Sequence, residues 1–156
     1  MKNLKTVVLL MSLVLSFNTF SQLELIENEN EKIKVGSVDV FGAVWMDCFK
    51  YSTEVNGEKT IKYLFTYQNL KYSTITDYKS FWINGDKDFN ELYELITETI
   101  GKEEKNIEIK LKSGNELTLK FNKKYVQFRV WNGTYWSFSP LLKQKQIDKL
   151  FGKYIN

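Results

Sequence analysis

The sequence predicts an α+β protein: a mainly antiparallel β-sheet of about six to eight strands, with two helices packed on it. Three observations carry this. Apolar residues alternate with polar ones through most of the chain, the period of a strand with one covered face. Asn-Gly pairs punctuate two of these runs, as tight hairpins require. Two stretches, 88–100 and 140–151, switch to apolar spacings of three and four, the period of a helix. Strands in runs followed by helices are the α+β pattern, not the alternating pattern of a parallel sheet.

Residues 1–21 are set aside from the fold. Lys2 and Lys5 open the chain, Val7 to Leu15 is apolar apart from Ser12, and Ser16 to Ser21 is polar with small residues. That order is the order of a secretory signal peptide. The apolar run is less than half of the roughly twenty residues that a spanning helix needs, so no integral membrane span is expected once the signal is removed. Thr19 and Ser21 fit positions −3 and −1 of a cleavage site, which makes Gln22 the expected new N-terminus. The expected location is outside the cytoplasm, in the periplasm or the extracellular medium. The acidic, Asn-rich residues 22–32 read as a loose lead-in, and 33–156 as a single domain.

The elements follow in order. Lys32–Phe41 and Ala43–Val55 are rich in β-branched and aromatic residues, with Gly36 placed as a bulge and Gly42 as a turn. Asn56-Gly57 predicts a two-residue hairpin turn. Lys59–Gln68 returns from it with Ile61, Tyr63, Phe65 and Tyr67 on one face. Asn69 marks a loop or bulge, and Tyr72–Tyr78 and Ser80–Ile83 read as further strand. Asn84-Gly85-Asp86-Lys87 predicts a turn before the helix at 88–100. Asp88 is its expected N-cap, Glu91 completes a capping-box pattern, and Gly101 is the stop. Ile107, Ile109 and Leu111, then Leu117, Leu119 and Phe121, alternate about the turn at Ser113-Gly114-Asn115. Tyr125–Trp131 and Thr134–Phe138 flank the second Asn-Gly. Ser139 is the expected cap of the last helix, with Pro140 in its first turn and Gly152 at its end.

Composition excludes a good deal of chemistry. The 156 residues contain no histidine, one cysteine and one arginine, Arg129. This rules out Ser-His-Asp and Cys-His catalysis, His-ligated zinc, CxxC redox motifs and iron–sulfur clusters. No phosphate-loop or dinucleotide fingerprint is present. Neither a cofactor nor a metal is expected, and no catalytic residue is singled out. Asp86, Asp88 and Asn90 have the spacing of a calcium loop, but Glu91 stands where its glycine belongs, so a turn and cap is the reading adopted. Cys48 alternates with Val44 and Met46 and is expected as a small buried hydrophobe.

Charge argues against nucleic acid. The full chain has 22 basic and 19 acidic residues. Removing residues 1–21 takes away two lysines and no acid, which leaves 20 against 19. No basic stripe stands out.

The positive hint is aromatic. A two-residue turn at Asn132-Gly133 would pair Trp131 with Thr134 and Arg129 with Trp136. Val126, Phe128, Val130, Tyr135 and Ser137 would then share one face, and Tyr125, Gln127, Arg129, Trp131, Trp136 and Phe138 the other. The first is the expected core face. The second mixes flat rings with hydrogen-bonding groups, with Arg129 placed to stack on Trp136. Either it is exposed and binds, or a further layer covers it as a second core.

The leading expectation is an exported, non-catalytic domain that binds a protein or glycan partner through Tyr125, Arg129, Trp131 and Trp136. One alternative is a carrier of an apolar small molecule in a sheet/helix pocket lined by Tyr63, Phe65, Phe81 and Trp82. Another is a small carboxylate-based hydrolase.

Overall fold

The computed structural model describes residues 31–40, 43–55, 57–71 and 75–154. The signal-peptide segment, residues 22–30 of the lead-in, Gly42, Asn56 and residues 72–74 lie outside the described residues. The chain runs β1 (Glu31–Val40), β2 (Ala43–Val55), β3 (Glu58–Gln68), β4 (Tyr78–Asn84), α1 (Gly85–Thr99), β5 (Asn106–Lys110), β6 (Glu116–Phe121), β7 (Val126–Trp131), β8 (Trp136–Phe138) and α2 (Gln144–Leu150). The strands form two antiparallel four-stranded sheets, ordered β1-β2-β3-β4 and β5-β6-β7-β8. Each half of the chain is thus a meander followed by a helix. This is the α+β arrangement that the sequence predicts, divided between two sheets.

Period-two alternation places the core. Cys48 pairs with Phe65, and Phe65 with Phe81, across the first sheet. Met46, Tyr63, Tyr67 and Ile83 are buried with them. From the second sheet Leu117, Leu119, Val126, Phe128 and Val130 turn the same way. The Phe128 ring centroid lies 6.0 Å from Phe81 and 6.4 Å from Phe65, so both sheets share one interior. α1 packs on β3 and β4 and adds Phe89, Leu92 and Ile96. α2 packs on β1 and β2; Ile147 and Leu150, and Phe151 just beyond it, close the cluster. Phe151 lies 5.3 Å from Phe65 and 4.8 Å from Phe89. Burial raises the pKa of the Cys48 thiol, and the neighbouring Asp47 carboxylate adds to this, so the cysteine packs as a neutral apolar group.

Gly36 is where the β1–β2 register shifts, as its position predicts. A Cβ there would collide with the carbonyls of Lys149 and Leu150, so the glycine also lets α2 approach β1. β2 and β3 connect through two residues, Val55 pairing with Glu58, and Gly57 takes φ +79°.

Both helix starts differ from the sequence expectation. α1 begins at Gly85, with Asn84 in the cap position, so Asp88 is not the cap. Long-range contacts take the nearby acids. Asp86 Oδ1 accepts from the Tyr63 hydroxyl and from Lys50 Nζ, tying the first turn to β2 and β3. Asp88 Oδ2 accepts from Lys112 Nζ at 2.9 Å instead of capping. Asn90 accepts from Lys153, so the three oxygens of the calcium-like stretch serve four partners and share none. Gly101, at φ +83°, ends the helix as expected.

The second helix is seven residues long, not twelve, because Ser139–Leu142 continue the sheet edge. The Ser139 N–H donates to the Phe128 carbonyl, and its Oγ accepts from the Phe128 N–H. Leu142 and Val126 exchange two backbone bonds. Three steps along one strand therefore oppose two along the other, a bulge at Pro140-Leu141. A proline without an N–H suits that position. Further upstream, the strand expected over 72–78 begins only at Tyr78; the described residues 75–77 are not strand.

Candidate functional site

The β7–β8 hairpin has a different turn from the one expected. Trp131 pairs with Trp136, Val130 with Ser137 and Arg129 with Phe138, leaving a four-residue loop, Asn132 to Tyr135. The loop is closed by a side chain: Asn132 Oδ1 accepts from the N–H groups of Thr134 and Tyr135, both at 3.0 Å. Gly133 takes φ +90° beside it. Asn122 does the same before β7, accepting from the N–H groups of Lys124 and Tyr125. Local capture of backbone donors by asparagine is what lengthens these connections.

The slip is two residues, so every side chain on the strands keeps its face. Val126, Phe128, Val130 and Ser137 are buried, and Gln127, Arg129, Trp131, Trp136 and Phe138 point outward. Two expected members are elsewhere. Tyr135 lies in the loop, not on the core face; it is exposed, with Lys79 Nζ 5.1 Å from its ring centroid. Tyr125 sits in the loop before β7, at the far end of that strand from Trp131. Its ring faces Lys143, at 5.7 Å.

What remains is a compact outward group. The Trp131 and Trp136 rings are 5.5 Å apart and inclined by 41°. Trp136 is 36% exposed, and Trp131 is half-buried. Arg129 stacks on Phe138 at 5.5 Å, not on Trp136, because Phe138 is its cross-strand partner. Gln127 orients the guanidinium by accepting from Nε, while its own amide donates to the Ser139 carbonyl. Glu108, Thr118, Arg129 and Phe138 form one row across the sheet, and Glu116, Trp131 and Trp136 another. A shallow depression of about 270 Å³ lies over the first row, walled also by Asn106 and Trp136.

Asn69, read as a loop residue, supports this surface from behind. It is 1% exposed. Its Oδ1 accepts from the N–H groups of Phe138 and Lys71, and its Nδ2 donates to Asp77 Oδ2. The Leu70 N–H donates to the Phe138 carbonyl, so the loop after β3 docks on the outer edge of β8 and brings the exposed Leu70 beside it. The Asn69 amide, and then Lys79, hold the Asp77 carboxyl below its usual range. Beneath them, the Tyr67 hydroxyl and Ser137 Oγ share a buried hydrogen bond of 2.6 Å between the two sheets. Its bond to Lys71 is local, but no local pattern announces its bonds to Asp77 and Phe138, which tie it to two further segments.

A second outward aromatic group lies on the first sheet and was not singled out from sequence. Lys32, Tyr51, Lys62 and Asn84 form one cross-strand row, and Lys34, Phe49, Leu64 and Trp82 the next. Tyr51 and Trp82 meet edge to face at 5.3 Å. Lys32 Nζ lies 4.2 Å from the centre of Phe49. The signal was available: Phe49 and Tyr51 have the opposite parity to Met46 and Cys48.

The pocket lining expected of a carrier is corrected. Tyr63 stacks on Phe89 at 3.8 Å and Phe65 on Phe81 at 4.9 Å, all four buried in the core. Of the four residues named, Trp82 alone borders the cavities described below. Among the described residues no group of three or more cysteine, aspartate or glutamate side chains could hold a metal ion, and no helix is long and apolar enough to cross a membrane. Set beside known proteins, the chain matches no family model, no curated protein and no solved structure.

Proposed function

We propose that this protein is an exported, non-catalytic binding domain whose β7–β8 outer face engages a protein or glycan partner. The observation that carries the reading is the Trp131–Trp136 pair. Two large rings are set side by side on hydrogen-bonded strands and left partly open, with Arg129 held next to them by Gln127 and Phe138. Tryptophan, tyrosine and arginine dominate binding hot spots because they combine apolar area with hydrogen bonding at low entropic cost. Of the four residues expected to bind, Arg129, Trp131 and Trp136 belong to this surface; Tyr125 does not.

Two measurements test the reading. Immobilised protein is exposed to secreted material of the native host and to a panel of soluble oligosaccharides, beside a Trp131→Ala/Trp136→Ala variant. The expected outcome is a defined partner bound by the parent and weakened at least about tenfold in the variant. Identical binding by both proteins excludes this surface. Export predicts an intact mass beginning at or within a few residues of Gln22, in the periplasm or medium. A mature species that retains Met1 excludes export by this signal.

A further inference from the structure

Two depressions meet at the edge of β4. The first, of about 290 Å³, lies between β4, α1 and the end of β5. Its wall includes the aliphatic side chains of Ile83, Leu92, Leu95, Ile109 and Leu111. The second, of about 740 Å³, opens on the outward face of the first sheet and is bordered by Tyr51, Thr53, Thr60, Lys62 and Ser113. Trp82, Asn84 and Lys112 border both. The charges differ between the two. Asp88 and Glu91 border the first; Asp88 pairs with Lys112 at 2.9 Å, and Glu91 lies 3.7 Å from Lys87. Lys110 borders it too. The second has two charged residues in its wall, Lys62 and Lys112, both cationic.

We propose that these adjoining depressions bind a single-chain amphiphile with an anionic head, a medium-chain carboxylate being the simplest member of the class. The aliphatic wall removes an alkyl chain from water, the non-directional part of the affinity. Its volume stands at the lower end of small-molecule pockets, which limits the ligand to one short chain. The head lies past Trp82, where the wall holds the Lys62 ammonium, the Lys112 ammonium that is shared with Asp88, four hydroxyl-bearing side chains and the Asn84 amide, and no acid of its own. Trp82, which borders both depressions, forms the divide, a position that suits a side chain with an apolar body and a polar N–H. None of these residues belongs to the β7–β8 face, so the two proposals stand or fall separately.

The test is calorimetric titration of the full mature chain with decanoate below its micellar concentration, alongside butyrate and decanol. Decanoate is expected to bind at one saturable site and to raise the melting temperature with concentration. Butyrate, which lacks the chain, is expected not to bind, and decanol, which lacks the charge, to bind at least tenfold more weakly. Leu95→Trp, which fills the aliphatic cavity, should abolish decanoate binding. Lys62→Glu, an exposed change that leaves the core intact, should weaken decanoate about tenfold and leave decanol unchanged. The proposal is overturned if decanoate shows no saturable binding. It is equally overturned if Lys62→Glu weakens decanoate and decanol alike, or if a folded Leu95→Trp protein binds decanoate as the parent does.

Discussion

On β7, Phe128 and Trp131 stand three residues apart and face opposite ways. Phe128 is fully buried, within stacking range of Phe65 and Phe81 from the other sheet. Trp131 meets its cross-strand partner Trp136 and remains half-buried. The inward ring joins a cluster that both sheets and both helices supply. The outward ring lies in the cross-strand row of Glu116, Trp131 and Trp136, on a face left partly open. Aromatic content alone therefore says little about role. Parity decides which way a ring points, and a second layer decides whether it becomes core.

That contrast can be broken at three points. The largest effect is expected inside: Phe65→Ala should cost about 3–5 kcal/mol, the range for aromatic truncation in a packed core, read from the urea midpoint at unchanged m-value. A loss below about 1 kcal/mol would mean that the shared interior is not packed as described. Intermediate is the polar link between the sheets. Tyr67→Phe should cost about 0.5–1.5 kcal/mol, because Ser137 keeps its bond to the Val130 carbonyl. Burial pushes the Tyr67 hydroxyl up to about 12, above the roughly 10 of an unfolded tyrosine. The folded state holds this proton more tightly, so the contribution is complete below about pH 10 and is lost as the pH rises through about 12. Melts across that window should show the parent losing stability relative to Tyr67→Phe; parallel slopes would refute a raised folded pKa. The smallest effect is expected outside. Trp131→Ala should cost about 1 kcal/mol or less, the scale of a cross-strand pair on an open face, measured in the same urea assay. A loss of several kcal/mol would assign Trp131 to packing, and the distinction between the two faces of β7 would collapse.

Parity is what the sequence made legible, and parity survives a wrong turn. The hairpin at Asn132 slips by two residues from its expected register, yet Arg129, Trp131 and Trp136 stay on one face because two is the strand period. Tyr125 was lost because parity relates only residues within the strand, and Asn122 holds Tyr125 in the loop before it. Helix ends were less legible than helix stripes. Asp88 looks like a capping residue locally and Asp86 like part of a turn, but Lys112 holds the first, and Tyr63 and Lys50 the second, all remote in sequence. Ser139 likewise reads as a cap and serves as a sheet residue, because its partner is Phe128. The support that Asn69 gives to β8 rests on tertiary contacts throughout. The Tyr51–Trp82 face was legible in principle, through the residues that alternate with Met46 and Cys48.

Gly36 and α2 have a consequence for the order of folding. The bare Cα of Gly36 is the seat against which the carbonyls of Lys149 and Leu150 rest, so two segments from opposite ends of the described chain fit each other at one point. β1–β4 can zip as local hairpins while α2 is still being synthesised, but the β1–β2 surface stays uncovered until the final helix emerges and docks. Contacts of such long sequence separation carry a loop-closure cost that slows folding. During that interval Phe65 lacks the ring of Phe151 that packs against it in the finished fold, the kind of exposed apolar surface that chaperones hold.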